Sequence, residues 1–133
     1  SPEIRNDMIS EILRIDTPEQ FVTRVALEDM DISGETLPAG GIVLGMIGSA
    51  NMDERVFPDP ERFDHTRPDL TRLQMAFGAG QHGCHGQLLA RAQAECAIGA
   101  LVERFPNYRI SGPVTHRHTE FIRNIYTLPI EFH

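Results

Sequence analysis

The order of apolar and polar positions divides the chain into successive stretches. Ile4, Met8 and Ile12, with their neighbours Ile9 and Leu13, recur at helical spacing. Ser1-Pro2-Glu3 opens this stretch as a helix start: a capping hydroxyl, a proline in the first turn, then an acid. Pro18 ends the helix at or before the residue preceding it. Phe21 to Leu27 is β-branched and apolar around a single charge, Arg24, and predicts a strand. Met30 to Leu37 predicts a second, interrupted at the turn signal Ser33-Gly34. After Pro38-Ala39-Gly40-Gly41, Ile42 to Ile47 predicts a third strand, apolar enough to be buried on both faces. These strands fit one small mixed or antiparallel sheet.

Residues 51–69 break the pattern. Pro58, Pro60 and Pro68 stand among many charges, with Phe57 and Phe63 isolated, so no long regular element fits. An ordered coil is expected. Phe77 to Gly86 then carries glycines at 78, 80, 83 and 86. From Gln87 to Phe105 an apolar stripe of Leu88, Leu89, Ala92, Cys96, Ala97, Leu101, Val102 and Phe105 predicts a long helix, stopped by Pro106. The tail from Phe121 to Phe132 predicts a strand or hairpin that Pro129 confines to an edge. The fold class is α+β, and the length fits one domain over residues 1–133.

Charge and composition narrow the partners. A net charge of −7 and a pI near 5.3 argue against nucleic acid. No apolar run reaches membrane-spanning length, and no charged-then-apolar leader opens the chain. The expected location is the cytoplasm, without a membrane partner. Two cysteines are too few for a disulfide framework. Cys96, in an Ala-rich stretch, is expected to be a small buried hydrophobe. Cys84 is different. It lies where a glycine-rich loop feeds a helix N-terminus, and there unpaired N–H groups and the macrodipole favour a thiolate. Flanking glycines let the backbone approach closely, as a thiolate bound to a large flat cofactor would need.

The run Phe77-Gly78-Ala79-Gly80-Gln81-His82-Gly83-Cys84-His85-Gly86 resembles the haem-binding loop of the cytochrome P-450 family, and the following Leu89-Ala90-Arg91 resembles its bacterial members. Glu11-Ile12-Leu13-Arg14 resembles the family's Glu-x-x-Arg helix, and Pro60-Glu61-Arg62-Phe63 its Pro-x-Arg-Phe coil. The resemblance covers nearly the whole chain but only the C-terminal portion of a usual member. It implies a truncated haem-thiolate domain binding haem b. Cys84 is then the axial ligand and the catalytic centre, and Phe77 packs beside ring and sulfur. Gly78 and Gly86 shape the loop, and His82 and Arg24 pair with the propionates. Glu11, Arg14 and Arg62 form a buried salt-bridged cluster that pins the supporting coil.

Some positions depart from the family. Its long central helix, with the acid-alcohol pair that delivers protons, is not recognisable. Gln74 stands where bacterial members often carry a histidine, Met52 where many carry an arginine, and His85 where an apolar residue is usual. The resemblance implies oxidation of a small organic molecule by monooxygenase or peroxygenase-type chemistry, with a redox partner. The alternatives are a non-catalytic haem-binding or interaction module and a non-redox haem enzyme of dehydratase or isomerase type. A zinc site from His82, Cys84, His85, His116 and His118 fits no common spacing. The apolar stripe after Cys84 must find cover, so a homodimer or docking on a missing N-terminal half is expected.

Overall fold

The computed structural model describes residues 2–117, 119 and 121–133, with the side chains of the first helix described from residue 5 onward. The cap expected at Ser1 and the packing expected for Ile4 lie outside the described residues. The fold is α+β. Helix α1 runs Pro2–Ile15, and α4 runs Gln87–Arg104 against it. Between them lie strands β1 (Val22–Val25), β2 (Met30–Ile32), β3 (Glu35–Leu37) and β4 (Ile42–Gly45) and the short helices α2 (Ile47–Ala50) and α3 (Leu70–Leu73). Strands β5 (Tyr108–Ile110), β6 (Thr115–Arg117), β7 (Asn124–Thr127) and β8 (Ile130–Phe132) follow α4.

The expected single sheet is two separate antiparallel ribbons, β1 with β4 and β2 with β3. Ser33 and Gly34 both take positive φ, 55° and 89°, which turns the chain tightly enough for β2 to pair with β3. The strand expected over Ile42 to Ile47 ends at Gly45 and is not buried on both faces, since Ile42 and Leu44 are exposed. Ile47 instead starts α2 and joins the core. In the tail, β7 and β8 do not pair with each other. They pair back onto β6 and β5, nesting one hairpin inside another.

The burial of the helix faces positions the interior. The α4 stripe was expected to need cover from outside this chain, and Glu11 and Arg14 of α1 to be buried. In α1 the fully buried residues are Ser10, Glu11 and Arg14, together with Ile9, while Met8 and Ile12 are exposed. In α4 the buried residue is Gly99; Leu88 (82% exposed), Leu89 and Val102 face solvent, and so does Cys96, contrary to the expectation of burial. Helix α4 turns its small and polar side to α1, where Arg5 of α1 reaches Glu103 at 3.8 Å. The largest fully buried side chains are Arg14, Glu11, Asn51, Thr17 and Ser10. Among the described residues, polar side chains therefore share the interior with a small apolar core of Ile9, Ala26, Ile47, Phe57 and Leu70, while much of the α4 stripe points outward.

Candidate functional site

The interior cluster is built on the helical spacing of Glu11 and Arg14, which puts both side chains on one face of α1. Arg14 grips Glu11 bidentately, Nε to Oε2 at 2.7 Å and Nη2 to Oε1 at 2.8 Å, with both side chains fully buried. Glu11 Oε1 also accepts from the Asp64 N–H at 2.9 Å and from Arg67 Nε at 3.1 Å. Burial alone pushes the Glu11 carboxyl up. Donation by Arg14, the Asp64 N–H and Arg67 outweighs this and holds the pKa below its ordinary value. Arg14 spends its remaining donors on the carbonyls of Asn51 and Pro60, both at 2.8 Å. The ring of Phe57, itself buried, lies 5.1 Å beneath its Cζ. Met52 Sδ stands 3.5 Å from Arg14 Nη1, so a soft acceptor occupies a place where another arginine would add like charge.

Arg62 does not join this cluster through its guanidinium, contrary to expectation. A turn, closed by Arg62 N–H to the Asp59 carbonyl and bent by Asp59 at φ 49°, sends the Arg62 side chain outward, 71% exposed and 3.8 Å from Asp64. Its carbonyl points inward and accepts from Arg67 Nη2 at 2.9 Å. Arg67 is the second cation on Glu11. It also donates to the carbonyls of Pro58 and Asp59, at 2.5 and 2.8 Å. One guanidinium thus gathers the turns of the proline-rich coil and ties them to α1. Two nearby carboxylates brace the same coil. The Arg55 guanidinium lowers Asp53 to about 2, and hydrogen bonds from Thr66 hold Asp64 below its ordinary range.

From the cluster a relay of short bonds reaches Cys84. Asn51, whose carbonyl holds Arg14, accepts the Met75 N–H on its side-chain Oδ1 at 2.7 Å. The Met75 carbonyl accepts the Gly78 N–H at 2.8 Å, and the Phe77 carbonyl accepts the Cys84 N–H at 2.8 Å. Gly78 and Gly80 both sit at φ +68°, a conformation costly for residues with a Cβ. Gln74 is buried and accepts the Ala76 N–H at 2.8 Å, so its side chain braces the loop backbone. Sequence reasoning missed Asn51 and Arg67. The signal for Arg67 was a third basic residue within reach of the same coil; for Asn51 no signal precedes the fold.

The loop, β1 and α2 enclose a recess of about 410 Å³. Cys84, Phe77, Gly78, His82 and Arg24 all line it, together with Val22, Met46 and Ala50. Gly86 lies outside the lining but beside the sulfur: a Cβ there would stand 3.7 Å from Cys84 Sγ. Cys84 is exposed and precedes the α4 cap, Gly86, by two residues. Arg24 is exposed at the rim and donates to the Thr23 carbonyl at 2.8 Å. Glu19 shares the lining. A mostly apolar recess with one thiol and an arginine at its rim fits a flat macrocycle with anionic edges. Among the described residues no three His, Cys, Asp or Glu side chains are grouped to hold a metal ion, and His118 lies outside those residues.

Comparison with known proteins agrees with this arrangement. The profile of the family described as Cytochrome P450 matches residues 3–123. The chain is 39% identical over 132 residues to 6-deoxyerythronolide B hydroxylase of Saccharopolyspora erythraea, covering 97% of this chain and 32% of that protein. It is 35% identical over 130 residues to cytochrome P450 CYP199A2 of Rhodopseudomonas palustris, covering 98% and 31%. The crystal structure of P450BioI in complex with an acyl carrier protein ligated to hexadec-9Z-enoic acid superposes with a TM-score of 0.94 at 35% identity, covering all of this chain and 34% of that one. The chain spans about a third of the length of these relatives and corresponds to their C-terminal portion. Matched by the family profile along most of its length and superposing on a solved member throughout, this chain belongs to the cytochrome P450 family.

Proposed function

We propose that this chain is the thiolate-ligand portion of a bacterial-type haem monooxygenase that oxidises a small organic molecule. The observation that carries the reading is the convergence of Cys84, Phe77, Gly78, His82 and Arg24 on one recess. Cys84 would hold the iron, and Phe77 would pack beside the cofactor and the sulfur. Gly78, at positive φ, shapes the loop, and Gly86 lies beside the sulfur. His82 and Arg24 would donate hydrogen bonds to the two anionic propionates. Haem b bound in this way supplies redox chemistry in which thiolate donation favours O–O cleavage. The Glu11–Arg14–Arg67 cluster acts at a distance, by fixing the coil and, through Asn51 and Met75, the ligand loop.

The test is reconstitution with haem followed by reduction under carbon monoxide. A Soret band at the position characteristic of the family is expected. Failure to bind haem would turn the reading to an interaction module, and turnover without reductant or peroxide would turn it to non-redox haem catalysis.

The exposed stripe of α4 bears on assembly. Its leucines and valine would not stay in water on a monomer. In the relatives the other two-thirds or so of the chain is present as well, and in our reading that portion covers the stripe. For the 133-residue chain alone, a second copy takes its place. Sedimentation at micromolar concentration is expected to give a dimer; a monomer there argues against self-association.

A further inference from the structure

Arg91, on the first turns of α4, is held from several directions. Nη1 donates to Ser10 Oγ at 2.8 Å and lies 3.4 Å from Asn6 Oδ1, both on α1. Its Cζ stands 5.4 Å from the centre of the Phe77 ring. Nε and Nη2 are sealed from solvent and have no hydrogen-bond partner, and desolvation lowers the pKa of the group. A buried donor without a partner is costly. The electron-rich face of Phe77 is a group that can offset part of that cost, as an acceptor for N–H and as a partner for the cation. Lysine could not substitute, because the planar fork both stacks and donates.

The two ends of this contact lead to different parts of the fold. Ser10 is fully buried and 2.9 Å from Thr71 Oγ1 on α3. With Arg91 donating to Ser10, the Ser10 proton is left for Thr71, so α4, α1 and α3 meet in one polar joint. At the other end Phe77 lines the recess, and its carbonyl holds the Cys84 N–H.

We propose that Arg91 is a positioning residue for the ligand loop: anchored on Ser10 and stacked on Phe77, it fixes the Phe77–Cys84 turn against α1. The relay through Asn51 and Met75 approaches the loop from the coil side. Arg91 approaches it from the helix side, so the turn is clamped from both. The consequence for the cofactor rests on the haem-thiolate reading; the clamp itself does not.

Residue-resolved hydrogen exchange on the 133-residue chain tests the clamp. In Arg91→Met and in Arg91→Lys the Cys84 amide is expected to exchange about tenfold faster, while amides in the middle of α4 keep wild-type rates. In a Phe77→Leu background, Arg91→Met is expected to add less than about twofold. Equal acceleration along all of α4, full additivity of the two substitutions, or rescue by lysine would each overturn the proposal. Should Arg91→Met not fold, Ser10→Ala removes the anchor while leaving the guanidinium, and the same local acceleration is expected. In the haem-loaded chain, the charge-conserving Arg91→Lys is expected to shift the Soret band of the reduced carbon monoxide form. An unshifted band overturns the role in positioning. Wild-type protein that takes up no haem sinks the haem-thiolate reading and leaves the exchange result to decide the clamp.

Discussion

Cys84→Ser is expected to lose the thiolate signature entirely. The reduced carbon monoxide spectrum should lack the family's Soret band, and haem affinity should fall by at least about 100-fold, because loss of outer-shell partners alone costs metal sites 10- to 100-fold. The hydroxyl of serine stays protonated at neutral pH and is a poor soft donor. Its smaller size is not the cause, since the sulfur faces an open recess. Cys96→Ser is the control. Cys96 is exposed on α4 and absent from the recess lining, so its spectrum should match wild type. Optical titration with haem and difference spectroscopy read both. Unchanged stoichiometry and colour in Cys84→Ser would remove the proposed chemistry while leaving family membership intact.

Much of the site was legible because its chemistry is local. The glycines that allow φ +68° at 78 and 80 sit within a few residues of the cysteine they serve, and Glu11 and Arg14 are neighbours on one helix face. Spacing alone carries such features. What spacing could not carry is the direction in which a coil turns. Arg62 stands in the recognised motif, yet one turn at Asp59 sends it to solvent and brings Arg67 inward. Hydrophobic periodicity marks the face of a helix that needs cover, and for the stripe after Cys84 that cover was expected outside this chain. Leu88 and Leu89 do face outward there; in α1 Ile12 faces outward as well, while Ser10, Glu11 and Arg14 face in. An apolar face specifies burial but not the element that provides it. The β5–β8 pairing was equally out of reach, because β6 and β7 lie between the two partners and leave no local turn signal for it.

The polar interior makes the second large effect specific. Glu11→Gln should destabilise the chain by about 3–5 kcal/mol, because it leaves the buried Arg14 and Arg67 guanidinium groups side by side without a counter-charge. That is a large fraction of the roughly 5–15 kcal/mol available to a domain. Arg67→Ala should cost at least about 2 kcal/mol, since it removes one of three donors to Glu11 Oε1 and the Arg67 donors to three coil carbonyls at once. Arg62→Ala should stay within about 0.5 kcal/mol of wild type, because its side chain is exposed and its inward contact is a backbone carbonyl that alanine retains. Urea unfolding followed by circular dichroism separates the two arginines, and the reverse ranking would restore Arg62 to the cluster. The same cluster sets an acid limit. The folded Glu11 pKa lies below its ordinary 4.5, so its contribution is complete above that value and is lost as pH falls through the folded pKa. Wild type should therefore lose stability on acidification below the ordinary carboxylate range. Glu11→Gln, with no proton to gain at this site, should show a shallower loss over the same interval, and parallel curves would place the acid sensitivity elsewhere.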